Sequence, residues 1–112
     1  MKTTLPLPEE QRLTVLFRVE SGCLGPDGHN HVEGFCRFAQ HRMTAIDADF
    51  ICWQIVPRED KSKPEMQYQV RAKRLSHDQA DRYLQVFGKT LDEFEGHLHE
   101  QLVLLIDEYL GR

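Results

Sequence analysis

The residues best suited to chemistry in this chain lie in one glycine-rich segment in its first third. Five side chains of metal-ligating type fall within eleven positions, namely Cys23, Asp27, His29, His31 and Glu33. Thiolate, carboxylate and imidazole groups are common ligands of zinc and other transition metals. A His-x-His pair on an extended segment can present both rings on one side. The segment is therefore a candidate metal site, although its spacing matches no established motif.

The same segment is also a candidate site for an anionic ligand. It follows a predicted strand and leads into a predicted helix, whose free N–H groups and dipole favour negative charge. The residues predicted to bind such a ligand are Gly25, Gly28, His29, Asn30 and His31. The glycine spacing matches neither the dinucleotide-binding fingerprint nor a P-loop, and a tight loop is the simpler explanation of these glycines.

The three cysteines are predicted to be free thiols, because their number is odd and no CxxC pair is present. Cys36 falls on the apolar face of a predicted helix, and Cys52 falls in a predicted core strand. Cys23, in the loop, is then the only thiol placed to react.

Hydrophobic periodicity predicts the elements that position these residues. Alternating apolar residues predict half-buried strands, and apolar residues spaced by three and four predict amphipathic helices. Ser76 and Thr90 each begin a capping-box pattern, and Asn30 is the predicted N-cap of the first helix. The predicted elements are a strand over 11–20, a loop over 21–30, a helix over 31–43, strands over 49–56 and 66–73, and helices over 76–88 and 90–110.

This β-α-β-β-α-α order predicts an α+β fold with a small three-stranded mixed sheet backed by helices. The strand over 49–56 is apolar on both faces, which favours a central position. A length of 112 residues suits a single domain over 1–112, with an extended leader over 1–10. The surplus apolar surface of this small sheet predicts that dimerisation completes it.

The predicted interface combines the second face of the sheet with the apolar flank of the last helix. A face with an apolar centre and a polar, basic rim is typical of a contact surface. The residues predicted to form it are Leu16, Ile51, Trp53, Ile55, Leu104, Ile106 and Leu110.

Composition narrows the classes of function. The chain is 40% hydrophobic and 29% charged, with a formal net charge of -4, which disfavours nucleic acid as a partner. No apolar run approaches the ~20 residues of a membrane span, and the N-terminus lacks a signal-peptide core, so we expect a cytoplasmic protein with no membrane contact. No cofactor motif is evident.

These observations favour a small non-catalytic protein that acts as a homodimeric binding module for a protein partner or a small molecule. The alternative is a small enzyme or metal-dependent hydrolase that uses the 23–33 loop. The sequence alone leaves open whether any reaction is catalysed.

Overall fold

A four-stranded mixed sheet with three helices makes up residues 5–112, the part of the chain that the computed structural model describes. The strands are β1 (Leu13–Val19), β2 (Ile51–Pro57), β3 (Met66–Val70) and β4 (Lys73–Leu75); the helices are α1 (Gly28–Met43), α2 (His77–Gln85) and α3 (Leu91–Leu110). Short 3₁₀ turns span Glu9–Gln11 and Ser21–Leu24. The α+β class is therefore confirmed, while the predicted three-stranded sheet is wrong by one strand.

The predicted leader over 1–10 is only partly described, because its first four residues lie outside the described part of the chain. Within that part, Leu7 is buried and its N–H donates to the Asp49 carbonyl at 2.9 Å. The leader is therefore attached to the domain just before it enters β1.

The strand order is β2-β1-β3-β4, with β1 parallel to β2 and antiparallel to β3. The predicted central position of the strand over 49–56 is wrong, since β2 forms one edge. The chain returns from β2 along the far side of β1, so the earliest strand has a neighbour on each side. Pairing of this kind depends on contacts distant in sequence, which a local apolar run does not encode.

The single strand predicted over 66–73 is a hairpin, in which β3 turns into β4. Its two turn residues, Arg71 and Ala72, have φ values of 54° and 63°, and Val70 pairs with Lys73 across the turn. Two successive positive φ values are typical of the type I′ turn, which normally selects asparagine and glycine. Arginine and alanine are not typical of this turn, so the sequence does not predict it.

One face of the sheet is covered by helices and the other is open. Leu13, Val15 and Phe17 of β1 face the helices, and the parallel register places Ile51, Trp53 and Ile55 beside them. These three β2 side chains are 2%, 6% and 5% exposed. Their predicted position on the second face is wrong, because residues paired in register across two parallel strands point to the same side.

The predicted N-cap residues are confirmed for α2 and α3 but not for α1. Ser76 and Gln79 form the complete capping box at the start of α2, and the Thr90 side chain accepts a hydrogen bond from the Glu93 N–H. The predicted N-cap at Asn30 is wrong, since α1 begins at Gly28 after Asp27. The glycine, proline and aspartate residues before Asn30 are typical of a loop, although the first turn of α1 already begins among them at Gly28.

The outer edge of β2 is closed by a side chain of α1. The Gln40 amide donates to the Trp53 carbonyl and accepts from the Ile55 N–H, both at 2.8 Å. These two groups point away from β1, where an added strand would pair with them. A single glutamine thus occupies the edge positions that a neighbouring strand would otherwise use.

Candidate functional site

The 23–33 segment does not assemble the predicted metal site. His29 and His31 lie in the first turn of α1, where residues two apart project about 200° apart around the helix. Both histidines are exposed. Across residues 5–112, no three histidine, cysteine, aspartate or glutamate side chains are arranged to hold a metal ion. The set Cys23, Asp27, His29, His31 and Glu33 is therefore not brought together around one point.

The start of α1 is also less open to an anion than the sequence predicts. The N–H of Gly28 donates to the Gly25 carbonyl and that of Asn30 to the Asp27 carbonyl, both at 2.9 Å. Gly28 is buried, and a Cβ on it would lie 1.7 Å from the Ser21 carbonyl oxygen. This glycine allows the helix to pack directly on the preceding 3₁₀ turn, and no observation on the described residues favours the enzyme alternative.

Cys23 is exposed, yet its surroundings disfavour the thiolate. Partial burial and the nearby carboxylates of Glu65 and Glu20 raise the pKa of the Cys23 thiol. The thiol lies at a small cavity of about 160 Å³ between β1 and α3, across which His99 approaches Glu65 to 3.7 Å. A raised pKa is the opposite of what an activated cysteine needs.

We predict that Cys23 reacts with a disulfide reagent more slowly than free cysteine at pH 8, although it is exposed. Burial raises the pKa of Cys36 to about 11, so that thiol should react only after unfolding. Glu65→Gln should speed Cys23 labelling about twofold, because it removes a negative charge that opposes the thiolate. Peptide mapping after timed labelling of the folded protein measures the labelling rates of Cys23 and Cys36 separately.

Glu33→Gln is the matched control, since the Glu33 carboxylate raises the pKa of Cys36 and not that of Cys23. Cys23 labelling that is faster than free cysteine would contradict the electrostatic argument.

The open face of the sheet is the first surface that could bind a partner. Its side chains come from alternate positions of all four strands, and most are partly exposed: Thr14, Leu16, Arg18, Cys52, Gln54, Val56, Gln67, Gln69 and Arg74. No acidic residue is among them. The centre of this face is Leu16, which pairs with Gln54 on one side and Gln67 on the other.

Arg18 fixes one end of the open face. It is 9% exposed, and its guanidinium donates to the Pro64 carbonyl at 2.7 Å and to the Gln67 Oε1 at 3.1 Å. These contacts connect β1, β3 and the loop before β3. The end of the face is consequently held by hydrogen bonds rather than by an ion pair.

The second surface is a cleft of about 640 Å³ between the end of α1, the loop that follows it and the first half of α3. Trp53 and Phe94 lie in its wall as a stacked pair, with ring centroids 5.5 Å apart and planes 9° apart. The sequence does not predict this cleft, because its residues come from four separate stretches of chain. The only local signal was the position of the single tryptophan, which periodicity assigned to the sheet.

No family model, curated protein or solved structure matched this chain. No helix within residues 5–112 combines the length and apolar character that crossing a bilayer requires.

The predicted interface residues of α3 are divided between surface and core. Leu104 is 61% exposed, whereas Ile106 and Leu110 are partly buried against the core. Val103, which neighbours Leu104, is 57% exposed. The last helix thus presents two exposed apolar side chains and not a continuous apolar flank.

Proposed function

We propose that this protein is a non-catalytic binding module that self-associates through the open face of its sheet. The observation that carries this proposal is the absence of aspartate and glutamate from the strand residues of that face, in a chain with 18 acidic residues. The face holds two arginines and no carboxylate, whereas α3 alone carries six acidic residues. Protein interfaces are depleted of aspartate, glutamate and lysine and enriched in arginine relative to the rest of the surface.

The polar groups of this face suit a second copy of the same chain. Glutamine and threonine side chains both donate and accept hydrogen bonds, so Gln54, Gln69 and Thr14 can pair with their own counterparts. A two-fold axis brings identical surfaces together, and it therefore favours groups that are complementary to themselves. Leu16 supplies the apolar centre around which such pairs would form.

The edges of the sheet are poorer places for association than its face. Gln40 bonds to two outward-facing backbone groups of β2, the Trp53 carbonyl and the Ile55 N–H, and Pro57 at the end of that strand has no N–H to donate. The other edge, β4, is three residues long and carries Lys73 and Arg74. Short, charged or covered edges resist the addition of a strand.

The size of the face places the proposed contact among weak, transient interfaces. At about 3.3 Å per residue and about 4.8 Å between strands, this sheet presents roughly 350 Å² of flat surface. Stable interfaces bury about 800 Å² on each partner. Self-association should therefore be reversible, with a dissociation constant on the order of 10–100 μM.

We predict that Leu16→Glu weakens the dimer at least tenfold, because it places two carboxylates against each other near the two-fold axis. Gln54→Glu, at an exposed position of the same face, should act in the same direction with less effect on folding. Light scattering after size-exclusion chromatography, from about 5 to about 500 μM protein, measures the change.

Val86→Glu is the matched control, since Val86 is 64% exposed at the end of α2 and away from the sheet. Labelling of Cys52, which lies on the open face, should also slow as the protein concentration rises. A wild-type monomer at every concentration would overturn the proposal. So would dissociation by Leu104→Glu in place of Leu16→Glu, which would locate the contact on α3.

A further inference from the structure

We infer that the cleft between α1 and α3 is a binding site for a small organic cation with a flat apolar body. This goes beyond self-association, because the cleft lies in the helical layer and the open face lies on the other side of the sheet. Its volume of about 640 Å³ falls within the range of small-molecule sites. Three features of the cleft favour such a ligand: its wall, its rim and the rim carboxylates that have no ion-pair partner.

The wall is apolar and its geometry is fixed. Met43, Leu98 and the Trp53–Phe94 pair contribute to it. The Trp53 indole N–H donates to the Ile46 carbonyl at 2.8 Å, so it holds the ring in place and is not available to a ligand. Trp53 and Phe94 are 6% and 5% exposed, so the pair offers a ligand a small, rigid aromatic surface in the wall of the cleft.

The rim is acidic. Asp47, Glu93 and Glu100 face the cleft together with Lys89 and His97. Lys89 approaches Asp47 to 3.7 Å, and the two charges compensate each other. This leaves Glu93 and Glu100 with no ion-pair partner among residues 5–112.

The loop after α1 positions the compensated acid. Asp47 has a φ of 51°, and its carbonyl accepts the N–H groups of Phe50 at 3.1 Å and Ile51 at 2.9 Å. This backbone turn directs the chain into β2 and keeps Asp47 at the mouth of the cleft beside Lys89. The remaining negative charge at the cleft is therefore that of Glu93 and Glu100 on α3.

A cleft that combines aromatic rings in its wall with two uncompensated carboxylates is complementary to a cation with an apolar body. Glu93 and Glu100 would repel an anion. A neutral molecule would gain no electrostatic attraction from these two carboxylates. The chemistry of the site thus selects amines and quaternary ammonium groups attached to a flat hydrocarbon.

Trp53 provides the test, because it is the only tryptophan in the chain. Titration with benzyltrimethylammonium should change its fluorescence saturably, with a dissociation constant on the order of 1 mM for so small a probe. Benzyl alcohol and benzenesulfonate, which share the ring but not the positive charge, should bind at least about fivefold more weakly. The same titration on Leu16→Glu should be unchanged, which separates this site from the proposed dimer.

The double variant Glu93→Gln/Glu100→Gln should weaken the probe about fivefold. Glu59→Gln is its control, since it removes a negative charge just after the C-terminal end of β2, where the residue does not line the cleft. The inference is overturned if no saturable change occurs, if the neutral or anionic probe binds as tightly as the cation, or if the double variant binds like the wild type. Thermal unfolding of each variant confirms that it is folded before titration.

Discussion

Gly28→Ala should be among the most destabilising single-methyl changes in this protein, lowering its stability by about 3 kcal/mol or more. The added Cβ would lie 1.7 Å from the carbonyl oxygen and 2.6 Å from the carbonyl carbon of Ser21. Both are backbone atoms, so no side-chain rotation can relieve the contact. Either α1 or the 3₁₀ turn over Ser21–Leu24 must move, although α1 is anchored in the core by Phe35 and Ala39.

Thermal unfolding measures this effect, and the midpoint should fall by roughly 12 °C for a domain of this size. Gly22→Ala is the matched control in the same 3₁₀ turn, because its Cβ would meet no atom within 4 Å. The control should stay within about 0.5 kcal/mol of the wild type. Equal midpoints for the two variants would show that α1 does not pack on the Ser21 backbone as described.

Gln40→Met should lower stability by about 2 kcal/mol and should also promote association at the sheet edge. Methionine has a similar length and a similar helix propensity, so the main loss is the pair of hydrogen bonds to Trp53 and Ile55. Those partly buried backbone groups would then lack partners. They would also become accessible to a strand of another molecule.

The measurements are thermal unfolding, together with light scattering during extended incubation. Gln40→Glu separates the two bonds, since a carboxylate still accepts from the Ile55 N–H but cannot donate to the Trp53 carbonyl. Arg37→Met introduces the same side chain at an exposed position of α1 and should have little effect. If Gln40→Met behaves like Arg37→Met, the glutamine is not what closes the edge.

The parts of the fold that were predictable are those encoded by neighbouring residues. Ser76 and Gln79 lie three residues apart and form a capping box whose two hydrogen bonds need no other segment. The alternation of Leu13, Val15 and Phe17 likewise identifies β1 and its buried face. Signals of this kind locate an element and its apolar side.

The parts that were not predictable depend on distant contacts or on unusual backbone conformations. The choice of β1 as the partner of β3 follows from the packing of the whole sheet. The left-handed conformation of Arg71 and Ala72 has no signature in those residue types. Gly28 resembled a ligand-binding glycine because nothing in the sequence shows that the Ser21 backbone lies against it.

The candidate sites divide in the same way. The open face could be partly predicted, since Leu16 alternates with core residues along one strand. The assignment of Trp53 to that face failed, because its side depends on the register with β1. The cleft was not predictable, since Asp47, Lys89 and Glu100 are far apart in the sequence and meet only in the folded chain.

The central position of β1 has a consequence for the order in which the chain folds during synthesis. Of the four strands of this sheet β1 is the first to leave the ribosome, but both of its neighbours are encoded later, and the second of them is complete only at Val70. Until then its hydrogen-bonding groups have no complete set of partners within the chain. The sheet therefore forms late, around the strand that is synthesised first. Folding that depends on such non-local pairing is slow.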